Sequence, residues 1–267
     1  GREHEHCRRF RHVLADRLEA RSALDAAIVL GVIAGADADD PTAVSLPVAD
    51  YAGSIGTGVR GRRIGVPTNL HGLDSDAQSA FDGAAATLKQ AGATLVDVKL
   101  PESFDQAGYD WVPLCGVEAA VAHEVTYPAR AKEYGPVLAG LLDLGRGMSA
   151  VDLARLQLRR AALTGALNTL MSSVDVLLMP VMGTAAWSLE AIQKAGRDLD
   201  SVAARLRYTA PFDLSGHPTL TLPGGMTPDG VPTGFQIVGR AFDEVAILAA
   251  GHAYQQATDW HSRRPLP

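Results

Sequence analysis

The sequence predicts an α/β fold built on a mixed sheet. Three observations predict it: a strand–helix–strand run between residues 62 and 100, a nearly continuous apolar run at residues 174–180, and two β-like runs flanking a Gly/Pro-rich connection between residues 219 and 239. Helical patterns separate these strand signals throughout, and interspersed strands and helices pack as sheets covered by helices.

In chain order, residues 13–35 (VLADRLEARSALDAAIVLGVIAG) read as a helix, with Val13, Leu14, Leu18, Leu24, Ile28 and Val32 near helical spacing and Gly35 as a stop. Residues 35–61, rich in Asp, Pro and Gly, read as a loop, and RRIGVP (62–67) as a short strand ended by proline. Ser75 and Gln78 suit a capping box. It opens a helix with Ala77, Phe81, Ala84 and Leu88 on one face, closed by Gly92. In TLVDVKLP, Val96, Val98 and Leu100 alternate with polar residues, as in a half-buried strand. Strand, helix, strand implies a parallel pair.

Residues 115–133 and 150–171 read as helices, the second opened by Ser149 and Asp152. VDVLLMP (174–180) reads as a strand buried on both faces. Residues 188–206 read as a helix, TLTLP and GFQIVG as strands joined by the wide connection GGMTPDGVPT, and Asp243 as the cap of a last helix from about Glu244 to Ala257. Gly224, Gly225 and Gly230 allow turn geometry there, while Pro223 and Pro232 stop the strands. Gly216 and Pro218 suggest a close backbone approach to a packed helix or a ligand.

Composition bounds the function. The chain has 267 residues, 47% of them hydrophobic and 20% charged, enough for a substantial core in one large or two small domains. The net charge of -6 gives no footprint for nucleic acid or an anionic membrane. The most apolar run, Ala26 to Ala36, is bounded by Asp25 and Asp37 and is shorter than the ~20 residues a membrane span needs. The start, GREHEHCRRFRH, does not have the order of a signal peptide. Two cysteines, Cys7 and Cys115, form no disulfide framework, so a reducing, cytoplasmic setting is expected.

Few residues suggest chemistry on spacing alone. His4, His6, Cys7 and His12 match no zinc spacing and read as a solvated end. GSIGTG (53–58) follows no strand and lacks the phosphate-loop lysine, so it reads as a connector. His217 could orient a substrate or sit in an ordinary turn, and the turn is the preferred reading. His252 falls among Val245, Leu248 and Ala249 and reads as packed. Asp213 and Ser215 could touch a ligand or bond local amides. No G-x-S-x-G elbow is present. No pattern calls for a metal or other cofactor.

The segments ALDAAIVLGVIAGADADDPT, VRGRRIGVPTN, AGATLVDVKLP, VDVLLMPVMGTAAW and YTAPFDLSGHPTLTLPGGMTPDGVPTGFQIVGRAFDE, in that order, resemble the C-terminal half of an amidase signature enzyme. The resemblance runs from about residue 21 to 267 and is most specific around residues 208–239. Residues 1–20 form a basic arm that matches the family poorly. The resemblance implies an α/β/α sandwich with a mixed central sheet, here incomplete, and hydrolysis of a small-molecule carboxamide to carboxylate and ammonia. It also implies a serine nucleophile, a bridging serine on a cis peptide and a lysine that accepts the proton.

That Ser-Ser-Lys set lies upstream of the matched segments in the family. The four lysines, Lys89, Lys99, Lys132 and Lys194, fall outside the family's catalytic context, so no catalytic residue carries over and the chain alone is expected to be inactive. What the resemblance carries over is acyl contact at Met182, Thr209 and Phe212, with ordinary core packing an equal reading for Met182 and Phe212. Half a sheet should expose strand edges and an apolar face, which implies self-association or a partner chain. A non-catalytic truncated relative, or the amidase component of a tRNA-dependent amidotransferase, are the alternatives to a free-standing amidase.

Overall fold

The computed structural model describes residues 18–40, 43–185, 187–195 and 198–264. Five strands form one mixed sheet: β1 (Arg63–Pro67), β2 (Thr94–Val98), β3 (Val176–Pro180), β4 (Thr219–Met226) and β5 (Pro232–Val238), in the order β2-β1-β3-β5-β4. β1 runs parallel to β2 and β3, whereas β5 runs antiparallel to β3 and β4. The expected parallel pair and mixed sheet are therefore present.

Ten α-helices lie among the described residues: α1 (Ala23–Ile33), α2 (Tyr51–Ser54), α3 (Ser75–Gln90), α4 (Gln106–Ala122), α5 (Pro136–Arg146), α6 (Ala150–Met171), α7 (Leu189–Ala195), α8 (Leu199–Leu206), α9 (Ala210–Ser215) and α10 (Glu244–Ala257). The side-chain period of a strand sorts β3 between two cores. Val176 and Leu178 join Phe81 and Leu88 of α3 and Ile247 and Tyr254 of α10. Leu177 and Met179 join Leu114 of α4, Leu163 of α6 and Phe212 of α9. All five β3 residues are buried, as the unbroken apolar run requires. The molecule is thus an α/β/α sandwich. Among the described residues no helix is long and apolar enough to cross a membrane.

Local chemistry corrects several sequence boundaries. Among the described residues the helix expected over 13–35 is helical from Ala23, with residues 18–22 outside it, because the Ser22 hydroxyl accepts from the Asp25 N–H at 3.0 Å and caps it there. Residues 13–17 of that expectation lie outside the described residues. The stretch 51–57, expected as loop, is a helical turn: Asp50 accepts from the Gly53 N–H at 2.8 Å. The cap of α3 is Asp74, not Ser75, with its carboxylate 2.8 Å from the Ala77 N–H. α4 starts at Gln106 and contains Pro113, so the proline hid its first half. Ser149 and Asp243 cap α6 and α10 as expected.

The connection between β4 and β5 is tight rather than wide. Pairing continues to Met226 opposite Pro232, a bulge between Pro223 and Gly225 absorbs the extra residue, and Gly230 turns the chain at φ 79°. Gly216 ends α9 at φ 74°, with nothing near the position of a Cβ, so left-handed geometry rather than close approach explains it.

Candidate functional site

The turn from Tyr208 to Pro218 meets the end of β3 and the start of β4. Gln236 of β5, 2% exposed, holds these parts together: its Nε2 donates to the Pro180 carbonyl at 2.8 Å and the Tyr208 carbonyl at 2.6 Å. The Tyr208 hydroxyl donates to the His71 carbonyl at 2.5 Å and accepts from the His71 N–H at 3.3 Å. Burial is the largest cause pushing that phenol above its ordinary pKa. On α9, the Trp111 indole donates to Asp213 at 3.1 Å, and the Arg160 guanidinium donates to the Leu214 carbonyl at 2.6 Å. These bonds reach back to α4 and α6, so a six-residue helix is fixed from both sides.

Beside this turn a cleft of about 550 Å³ separates β4 from residues 18–26. Val181, Thr209, Asp213, Gln236 and Gln255 face it from the sheet and helices. Gln255 closes one end by accepting from the Ala23 N–H at 2.9 Å. A second cavity of about 340 Å³ shares Leu18, Ala26, Asp213 and Leu220 with the first and adds Phe212, His217, Glu244 and Leu248. Burial raises the Glu244 carboxyl pKa and lowers that of His217. His217 is 5% exposed, with Nδ1 2.9 Å from the Ser215 hydroxyl and Nε2 buried without a partner.

Among the described residues the lining of the larger cleft includes neither lysine nor histidine. Its serine, Ser22, is committed to the α1 cap, where its hydroxyl also donates to Asp25 at 2.8 Å. Lys89, Lys99 and Lys132 are exposed. The side chain of Lys194 and the histidines and cysteine of residues 1–17 lie outside the described residues. Among the described residues no group of three or more His, Cys, Asp or Glu is placed to hold a metal.

Of the residues expected to contact an acyl group, Thr209 lines the larger cleft. Phe212 lines the smaller cavity but is 3% exposed and stacks edge-on against Phe104 at 5.8 Å. Met182 is half-buried and follows Val181, which lines the larger cleft. His252 is half-buried on α10. The sequence reading missed Gln236 and Gln255. For Gln236 the signal was available: an amide inside the apolar run GFQIVG is a buried polar group that needs partners.

An α/β/α sandwich with a polar-floored cleft beside a Gly/Pro-rich strand edge defines a class of scaffold and leaves the reaction open. Comparison with known proteins closes the assignment: the amidase family profile matches residues 18–248, and the chain belongs to the amidase family. The AmiD protein of Mycobacterium tuberculosis, named as a putative amidase, is 41% identical over 252 residues, covering 92% of this chain and 51% of that protein. A glutamyl-tRNA(Gln) amidotransferase component from Trichlorobacter lovleyi is 33% identical over 273 residues, covering 91% and 55%. Among solved structures, 6-aminohexanoate cyclic dimer hydrolase superposes with a TM-score of 0.75 at 25% identity, covering 92% of this chain and 55% of that one. The chain spans about half the length of these relatives.

Proposed function

We propose that this chain supplies the scaffold and one wall of a carboxamide-hydrolysing site, yielding carboxylate and ammonia. The observation that carries the reading is the match to an amidase-named relative over nearly the whole chain. In this reading Thr209, Met182 and Phe212 contact the acyl part of a small amide. Gln236 holds the Tyr208–Thr209 turn against the end of β3, so the acyl wall keeps its shape during turnover. The nucleophile, the bridging hydroxyl and the lysine come from the part of the family's length that the chain does not span. The 267 residues alone are then inactive. The higher identity to AmiD than to the amidotransferase component supports a free-standing amidase over a piece of an amidotransferase. A cytoplasmic setting is part of the proposal and rests on cysteine usage.

The test is ammonia release from simple aliphatic and aryl amides. The chain alone should release none. A fusion that places the unmatched portion of M. tuberculosis AmiD ahead of residue 18 should release ammonia. A cooperatively melting fusion that hydrolyses no amide would overturn the assignment, and turnover by the chain alone would overturn its dependence on the missing portion.

A further inference from the structure

We propose that the smaller cavity, lined by Asp213, His217 and Glu244, is a subsite for a primary alkylammonium group, and that it gives the adjoining cleft a preference for amides whose acyl chain ends in an amine. The substrate preference rests on the hydrolytic reading above, whereas the amine subsite does not. The cavity measures about 340 Å³ and lies between α1, α10, the start of β4 and the turn that precedes it. That volume falls within the ~300–1,000 Å³ range of small-molecule sites. Leu30, Phe212, Leu220, Ile247 and Leu248 give it apolar walls. Among the described residues its lining holds two carboxylates, Asp213 and Glu244, and neither lysine nor arginine. Carboxylates alone do not define a ligand; His217 does. This side chain lines the same cavity and is 5% exposed, and its Nε2 is buried without a partner. Buried polar atoms are paired as a rule, so an orphan on a cavity wall marks the place of a ligand atom.

The hydrogen-bond roles select the ligand. The Ser215 hydroxyl directs its proton to the Phe212 carbonyl at 3.5 Å, so its oxygen accepts from the His217 Nδ1–H at 2.9 Å. Nε2 then carries a lone pair. Burial keeps this imidazole neutral, and so an acceptor, at neutral pH. The Trp111 indole, donating to Asp213 at 3.1 Å, fixes the orientation of one carboxylate. Burial raises the pKa of the other, on Glu244, and a cation beside it would lower it again. An ammonium group brings three donors and a positive charge to this set of acceptors. An alcohol brings one donor and no charge, and a carboxylate brings repulsion. The cavity shares Ala26, Asp213 and Leu220 with the larger cleft. An acyl chain that starts at Thr209 in the cleft can therefore run along Leu220 and end its amine in the cavity.

The experiment has two arms. In the first, the 267-residue chain is titrated calorimetrically with n-butylamine, n-butanol and butyrate. The amine should bind saturably, and the alcohol and the acid about tenfold more weakly or worse, because a charge-assisted hydrogen bond is lost. In the ¹⁵N-labelled chain, n-butylamine should shift the Nε2 resonance of His217. Glu244→Gln should weaken amine binding about tenfold. Absence of saturable amine binding, equal affinity for butanol, an unmoved Nε2 resonance, or an affinity indifferent to Glu244→Gln in a cooperatively melting variant would each overturn the subsite. The resonance and the alcohol comparison use the unaltered chain, so the result does not depend on the variant's folding. In the second arm the AmiD fusion is given 5-aminopentanamide and pentanamide. Its kcat/KM should favour the amino compound about tenfold. Equal kcat/KM for the two, with amine binding intact, would assign the cavity to a free amine and overturn the substrate preference. A fusion that hydrolyses neither amide counts against the hydrolytic reading and not against the subsite, which the first arm decides.

Discussion

Two buried polar side chains near the cleft have opposite consequences. Gln236 donates both of its observed bonds to backbone carbonyls that would otherwise lie in an apolar core. Gln236→Leu keeps the volume but leaves those carbonyls unpaired, a change expected to cost about 1–3 kcal/mol. Urea unfolding at neutral pH checks it, and an unchanged midpoint would contradict the role given to this amide. His217 acts through protonation. Its native pKa lies below the ordinary value of 6.5 because burial disfavours the imidazolium. As pH falls below 6.5 the unfolded chain binds the proton first, so stability decreases down to the native pKa. His217→Leu should flatten the fall in melting temperature as pH drops below about 6.5, the unperturbed histidine value. Equal slopes in both proteins would contradict this account. Glu244 works the other way: its raised native pKa stabilises below the ordinary value of 4.5 and that contribution is lost as pH rises through the native value. The residue scale is where the sequence was least legible. GHP marked a turn, but nothing in it shows that His217 is buried with an unpartnered Nε2, because that depends on α10 arriving from elsewhere in the chain.

Among the elements, those with strong periodic or cap signals were legible: α3, α6, α10 and all five strands appear where the residue pattern placed them, within a few residues. The failures have local causes. Pro113 sits inside α4 and reads as a boundary, α5 follows a Gly-Pro pair that reads as loop, and the 188–206 pattern divides into α7 and α8. The α4–α5 crossing has a feature that periodicity cannot show. Gly116 and Gly145 face one another, and a Cβ on Gly145 would fall on the Gly116 carbonyl. Backbone cannot yield as a side-chain tip can. Gly145→Ala should therefore destabilise by about 1–3 kcal/mol despite the better helix propensity of alanine. Chemical denaturation checks this, and a stabilised variant would show that the two helices are free to separate.

At the scale of the whole molecule, composition and element order were enough for an α/β sandwich, and the motif around residues 208–239 was enough for the amidase family. The cleft was not legible, since it is bounded by residues 18–26 and 219–223, about 200 positions apart. Among the described residues its charged lining carries no lysine, and its serine is spent on a helix cap. Under the proposed function, the acyl wall belongs to this chain and the attacking oxygen comes from the part of the family's length that it does not span. The most direct measurement is covalent labelling of the active AmiD fusion with a fluorophosphonate, which reacts with activated serines, followed by peptide mapping. The account predicts one labelled serine, in the AmiD-derived portion, and none between residues 18 and 264. A label on any serine within that range would contradict it.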